Sequence, residues 1–305
     1  MTVRRSLLML CVVGIVSSVV RADDVVTLER QDKTVAVRIG GQEFATYNFD
    51  STLPKPYFSP VKAADGTIVT RGLEKPEDHP HHKGIWCSID EVNDIKYWAE
   101  KGKIVNAGVG LQRSQGNPAC LHVVNHWLGT DGLPLMNEST TISIFANRLL
   151  VYDVSFSPAR GDTPVTFHDT KEGMFGIRLA NSMRGKEGGK IVNAEGLQGE
   201  KACWGQESKW VDYFGQINGK TYGVAIFDHP ANARKSRYHV RDYGLFTLSP
   251  FGQKSYTNGK LPDDPLTLKP GENFRLRYGL YVHDGDTAAG KVSDVANQFV
   301  KATGG

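Results

Sequence analysis

The segment Gly72 to Trp86, GLEKPEDHPHHKGIW, places His79, His81 and His82 within four positions around Pro80, with Asp78 before them and Lys83 after. Three of the chain's nine histidines are gathered there. Imidazole titrates closest to neutrality and is the commonest protein metal ligand, so such a cluster suits proton transfer or cation binding. In an extended chain successive side chains alternate faces, which puts His79 and His81 on one pocket wall and turns His82 away with Pro80. The plainer alternative is a polar loop whose imidazoles bond only the backbone.

Three further stretches carry titratable groups where a core would not want them, one of them DHPAN at Asp228 to Asn232 after a strongly apolar strand. In Phe167 to Gly173, FHDTKEG, extended geometry sets His168, Thr170 and Glu172 on one face. A histidine and a carboxyl group can there divide the work of acid and base once burial separates their pKa values. In Tyr238 to Gly244, YHVRDYG, His239, Arg241 and Tyr243 share a face, with Val240 and Asp242 opposite. A guanidinium fork in that setting fits a carboxylate, a phosphate or a row of hydroxyls. The five tryptophans, among them Trp86, add flat apolar faces that stack on the C–H face of a sugar or simply fill a core. All these signals gain weight only if the fold brings the stretches together.

What must position them is a succession of short strands. Alternating apolar and polar residues, rich in β-branched and aromatic types, predict strands at Val25 to Arg30, Thr34 to Ile39, Glu43 to Phe49, Lys103 to Arg113 and Cys120 to Leu128. The same pattern continues at Ser139 to Ala146, Leu149 to Ser157, Val165 to Thr170, Phe175 to Ala180, Lys209 to Ile217, Thr221 to Asp228, Gly244 to Leu248 and Phe274 to Val282. Asn218-Gly219 is a hairpin turn signal. One helix is expected near the end, Ala288 to Ala302, from Val292, Val295, Ala296 and Phe299 at helical spacing. The fold class this implies is all-β: a large antiparallel β-sandwich with a C-terminal helix, forming a single domain over residues 23–305.

Residues 1–22 have the order of a secretory leader: Arg4 and Arg5, an apolar stretch from Leu7 to Val20, and the small-residue site Val20-Arg21-Ala22. The apolar stretch is shorter than the roughly 20 residues that span a bilayer, so the chain is expected to be exported to the periplasm or outside the cell. Losing the leader removes Arg4, Arg5 and Arg21 and leaves 33 basic residues against 33 acidic ones. A neutral mature chain without a basic block offers no footprint to nucleic acid or to anionic membranes, and points instead to small or uncharged polymeric ligands. Cys87, Cys120 and Cys203 remain after Cys11 leaves, an odd number without CxxC spacing, so neither a closed disulfide framework nor a zinc ribbon is expected. No phosphate-cradling loop, nucleophile elbow or HExxH segment is present.

Four phrases carry a resemblance: YFSPVKAADGTIVTRG at Tyr57 to Gly72, DHPHHKGIW at Asp78 to Trp86, HDTKEGMFGIRLA at His168 to Ala180 and HVRDYGLFTLSPFG at His239 to Gly252. Together, from about Tyr57 to His283, the chain resembles a family of exported bacterial proteins, common in planctomycetes, labelled methane oxygenase PmoA. The methane-oxygenase subunit of that name is an integral membrane protein, whereas this chain has no apolar stretch of spanning length, so the label is read as a misnomer. More distantly, the phrase LTLKPGE followed by a strand ending YVHDGD is similar to the closing hairpin of galactose-mutarotase-type supersandwiches. That resemblance implies acid–base work on a pyranose ring, with His81, His168 and Glu172 as catalytic candidates. It also implies that Arg71 and Arg241 hold the sugar, with His79, Trp86 and His239 beside it.

The leading expectation is therefore an exported enzyme acting on a carbohydrate by proton transfer: an epimerase, a mutarotase or a lyase, without a cofactor. One alternative is a non-catalytic carbohydrate-binding protein. The other is a metal-dependent enzyme using His79, His81 and a third ligand such as His168 or His239, with Asp78 or Glu172 as the carboxylate.

Overall fold

The computed structural model describes residues 25–74 and 76–304, so the expected leader lies outside the described residues. Two large antiparallel sheets carry the fold. The first has nine strands in the order Arg237–Val240, Leu245–Ser249, Phe175–Arg178, Ile85–Cys87, Tyr57–Val61, Gln42–Asn48, Thr34–Ile39, Val26–Arg30 and Gln115–Gly116. The second has eight: Lys190–Asn193, Trp210–Ile217, Lys220–Asp228, Phe274–Asp284, Leu149–Pro158, Pro134–Ile144, Ala119–Leu128 and Ile104–Arg113. A two-stranded ribbon pairs Val165–Phe167 with Leu266–Leu268.

The alternation read from the sequence is what makes the sandwich. Ala119–Leu128 buries every second residue without a break, and Thr34–Ile39 does the same. The buried faces meet between the sheets, where Phe175 of the first packs on Tyr152 (4.5 Å between ring centres) and Tyr278 (5.6 Å) of the second. Each such aromatic contact adds about 0.5–1.5 kcal/mol beyond its area burial. Asn218 and Gly219 both adopt positive φ and close the hairpin between Trp210–Ile217 and Lys220–Asp228. Cys87, Cys120 and Cys203 are free thiols.

The C-terminal helix is present but starts later than expected, at Val292 and running to Ala302, because Lys291 takes a left-handed conformation ahead of it. Val292, Val295 and Phe299 pack against Leu149, Val151, Ala225 and Phe227 on the face of the second sheet turned away from the main core. The strand expected at Val165 to Thr170 ends at Phe167. Short strands such as Tyr57–Val61, Ile85–Cys87 and Arg237–Val240 carried too few alternations to be read from the sequence.

Those short strands matter most for the chemistry. Ile85–Cys87 follows the histidine segment, Phe175–Arg178 follows FHDTKEG, and Arg237–Val240 runs into Arg241 to Gly244. Phe175–Arg178 pairs with Ile85–Cys87 on one side and Leu245–Ser249 on the other, and the latter pairs with Arg237–Val240. Three distant stretches are thus delivered to one end of one sheet. Within them the pleat sends Ile85, Phe175, Ile177, Tyr238 and Val240 into the core and leaves Trp86, Arg178 and His239 on the opposite face.

The chain enters this region through Gly84, which has φ +56° and whose missing Cβ would stand 1.8 Å from the Phe58 carbonyl oxygen. Gly84→Ala is therefore expected to cost about 3–5 kcal/mol through backbone strain and displacement of the adjoining strand. Chemical denaturation checks this; a loss below about 1 kcal/mol would show that the close approach is relieved cheaply.

Candidate active site

The histidine segment is a turn, not an extended run. His82 N–H donates to the His79 carbonyl at 3.0 Å, and His79 adopts φ +40°, a left-handed conformation that costs a non-glycine residue about 1–2 kcal/mol. The expectation that His82 would point away from its neighbours is thereby overturned: closing the turn swings all three imidazoles to one side. His79 stacks on His82 at 4.7 Å, and His81 meets His82 edge-on at 4.5 Å. The stack continues through Tyr243, 5.2 Å above His79, and Trp86, 5.5 Å below His82.

Behind the turn lies a set of tethered cations. Arg71 is buried and donates through Nη1 to the carbonyl (2.9 Å) and Oδ1 (2.6 Å) of Asp78, and through Nη2 to the carbonyls of His79 and His82. Arg178, also buried, grips both Asp78 oxygens at 2.8 and 3.1 Å and reaches His82 Nδ1 at 3.2 Å. A guanidinium only donates, so His82 accepts through Nδ1 and is neutral; burial, and then its histidine neighbours, push its pKa far down. Lys55, fully buried, donates to the His81 carbonyl (2.9 Å) and to Glu100 (2.7 Å), which also takes Lys83.

A cavity of about 490 Å³ opens in front of this scaffold. His79, His81 and His82 form one part of its wall, and Glu172, His239 and Arg241 another; Asp90, Trp98, Lys171 and Tyr243 complete it. Of the eight candidates read from the sequence, His79, His81, Glu172, His239 and Arg241 line this cavity. Arg71 and Trp86 do not: Arg71 braces the turn from behind, and Trp86 lies buried beneath His82.

His168 also stands outside the cavity, half-exposed, with its nearest carboxylate Asp94 at 3.8 Å. The chain from 168 to 173 bends where extended geometry was expected, so His168 and Glu172 do not share a face. One local and three long-range bonds enforce the bend: Thr170 Oγ1 accepts from Glu172 N–H at 3.1 Å, and Asp169 accepts from Lys254 N–H, Ser255 N–H and the Ser255 hydroxyl. The ligand sets that drew on His168 are therefore not assembled, and Asp78 is committed to two arginines. Among the described residues no group of three or more His, Cys, Asp or Glu side chains is placed to hold a metal ion together.

The titration of the cavity groups is set mainly by burial. Burial, with the Lys55 ammonium adding to it, lowers His81 to about 4. His239 is lowered to about 4 by burial. Its Nδ1 stands 2.9 Å from the Lys171 carbonyl, which only accepts, so Nδ1 carries the proton and Nε2 keeps a lone pair. The carboxyl groups move the other way: burial, reinforced by the neighbouring Glu172 charge, raises Asp90 to about 6, and burial raises Glu172. The sequence reading missed Asp90, whose phrase SIDEVND looks like an ordinary loop; only its burial and its place on the cavity wall single it out.

Near neutrality the cavity thus holds neutral imidazoles at His81, His82 and His239, two carboxyl groups that retain protons unusually well, and two cations. Such a set can remove a proton at one point of a hydroxyl-rich ligand and return one at another.

The model of DUF6807, described as a family of unknown function, matches residues 34–297. That description names no activity, oxygenase or other. No curated protein matches the chain. The distant likeness to galactose-mutarotase-type proteins is present as a long, loose overlap with solved structures. A galactose 1-epimerase from Lactobacillus acidophilus NCFM is 10% identical, with 86% of this chain and 99% of that chain covered and a TM-score of 0.42. A GalM/aldose epimerase homologue from C. elegans is 9% identical, with 86% and 99% covered and a TM-score of 0.37. Neither overlap assigns chemistry, which rests on this chain's own residues.

Proposed function

We propose that this chain, which belongs to the family DUF6807, is an enzyme that isomerises a carbohydrate by proton transfer at the ring. The observation that carries this reading is the convergence of Asp90 and Glu172, two carboxyl groups with raised pKa values, in one cavity with His81 and His239. A cavity near 490 Å³ suits a mono- or disaccharide, and the half-buried Tyr243 adds apolar surface to its wall. Glu172 is the base. The acid, expected from the sequence to be His81 or His168, is here assigned to Asp90: His168 stands outside the cavity, and an imidazole held near 4 carries almost no proton at neutral pH, whereas a carboxyl near 6 keeps a useful fraction. His81 and His239 then serve as neutral hydrogen-bond partners that orient hydroxyls.

The test is a panel of reducing sugars incubated with the protein in deuterium oxide and followed by proton NMR. Faster anomer exchange, new epimer signals or loss of a ring C–H signal to deuterium, each abolished in Glu172→Gln, is the expected result. Saturable binding with none of these changes would make the protein a binding module instead.

The same assignment predicts a pH profile. Glu172 must be unprotonated and Asp90 protonated, so kcat/KM rises as Glu172 ionises above the ordinary carboxylate range. It then falls about tenfold per unit once pH exceeds about 6. The two limbs belong to the interacting pair rather than to either residue alone. A profile flat from about pH 5 to pH 8 would remove Asp90 as the acid.

A further inference from the structure

The basic residues around the cavity fall into two groups. Arg71, Arg178, Lys55 and Lys83, on the protein side of the wall, are each bonded to a carboxylate. Arg241 and Lys171, which line the cavity, each stand near one carboxylate but hydrogen-bond to none. Among the described residues the one carboxylate within 4 Å of the Arg241 guanidinium is Glu200, 3.3 Å from Nε on its outer edge, and the terminal nitrogens make no hydrogen bond. The Lys171 ammonium stands 3.9 Å from Glu172, beyond hydrogen-bond reach, and donates to no other described group. Both side chains are partly open to solvent, at 35% and 47%.

From this contrast we propose that the substrate is an acidic sugar, a hexuronate or its glycoside, whose carboxylate is held between Arg241 and Lys171. The inference rests on the proton-transfer reading above and names the substrate class of that site. A planar carboxylate matches the guanidinium fork and brings one negative charge to two cations whose terminal donors are not taken up by hydrogen bonds. A phosphate dianion would bring two charges into a cavity that already holds Asp90 and Glu172, so the carboxylate is favoured.

It also gives the acid–base pair a suitable target. The hydrogen on the ring carbon next to a carboxylate is acidified by it. Glu172 takes that proton, the C–H electron pair delocalises into the carboxylate as an enediolate, and Arg241 and Lys171 hold the added negative charge. Asp90 then returns a proton to the same carbon and is left as carboxylate. Glu172 is left protonated, and proton exchange with solvent resets the pair. No oxidant or leaving group is required.

The experiment is calorimetric titration of the full chain at about pH 6 with sodium D-glucuronate and D-galacturonate, beside D-glucose, D-galactose and glucose 6-phosphate. The expected result is a preference of about tenfold or more for the uronates over their neutral parents. That preference should collapse towards parity in Arg241→Met and in the half-exposed Lys171→Met, and return in part in Arg241→Lys. Equal binding of neutral sugars and uronates, tighter binding of the sugar phosphate, or a preference that survives both methionine variants would each overturn the inference. If neutral sugars bind and are turned over in a Glu172-dependent way, only the acidic-sugar assignment fails. If no sugar of any kind binds, the proton-transfer reading fails with it.

Discussion

Replacing Asp90 by asparagine is expected to stop turnover and stabilise the protein at the same time. Asp90 is 6% exposed, and its carboxyl is raised to about 6, chiefly by burial. Among the described residues the one hydrogen-bond partner of its carboxyl is the Ala99 N–H, which donates to Oδ1 at 3.0 Å; an asparagine carbonyl can keep that bond. A folded-state pKa raised above the unfolded value means that the folded protein prefers the protonated form. The stability this confers is fully present below about pH 4 and is lost as pH rises through about 6. At neutral pH the ionised Asp90 therefore costs about 2–3 kcal/mol, two pKa units at 1.36 kcal/mol each, and asparagine removes that cost. Differential scanning calorimetry of Asp90→Asn should show a midpoint raised by about 5 °C at pH 7 and unchanged near pH 4. Turnover should fall about 10²–10⁴-fold, as in Glu172→Gln. A variant that keeps full activity, or gains stability equally at both pH values, would show that Asp90 is not the proton-bearing carboxyl group.

The second large effect is expected at Arg178, a residue that touches no substrate in this account. It is 1% exposed, holds both oxygens of Asp78, reaches His82 Nδ1, and lies 4.8 Å from the centre of the Tyr243 ring. Arg178→Met keeps most of the volume but leaves His82 Nδ1 buried without a partner and leaves Asp78 with Arg71 as its one remaining arginine. The expected loss is about 2–4 kcal/mol of stability, read by urea unfolding, with kcat/KM down about tenfold or more as the Tyr243–His79–His82 stack loosens. Arg178→Lys should rescue little, since an ammonium cannot grip both carboxylate oxygens and the imidazole together. The Asp78→Asn, Arg178→Met double variant should be less unstable than the sum of the single changes. Full additivity would deny the coupling between the two.

Much of the sandwich is legible in the sequence because strand alternation is a local property. Ala119–Leu128 and Thr34–Ile39 declare their buried faces within ten residues, and Asn218-Gly219 declares its turn within two. His239, Arg241 and Tyr243 do share a side and reach the same cavity, because that part of the chain enters from a strand. The alternation argument failed at His82 and His168 for one reason. It assumes an extended backbone, and both segments are bent: the first closes through its own His82 N–H to His79 carbonyl bond and is braced by Arg71 and Arg178, and the second is held by Lys254 and Ser255.

The sequence by itself determined the all-β class, the terminal helix, and the unusual histidine, carboxyl and arginine content of three stretches. Tertiary structure alone decided which of those groups meet, since Ile85–Cys87, Phe175–Arg178 and Arg237–Val240 come together through pairings across about 70 to 90 residues of chain or through an intervening strand. It also decided how they titrate. Asp90 looks like any surface aspartate when read in line, and holds its proton because the fold buries it beside Glu172. Arg241 stands out in line by its company alone, and keeps its terminal nitrogens open because Glu200 meets only its Nε edge. Desolvation and charge pairing depend on neighbours far away in the chain, so the pattern along it cannot encode them.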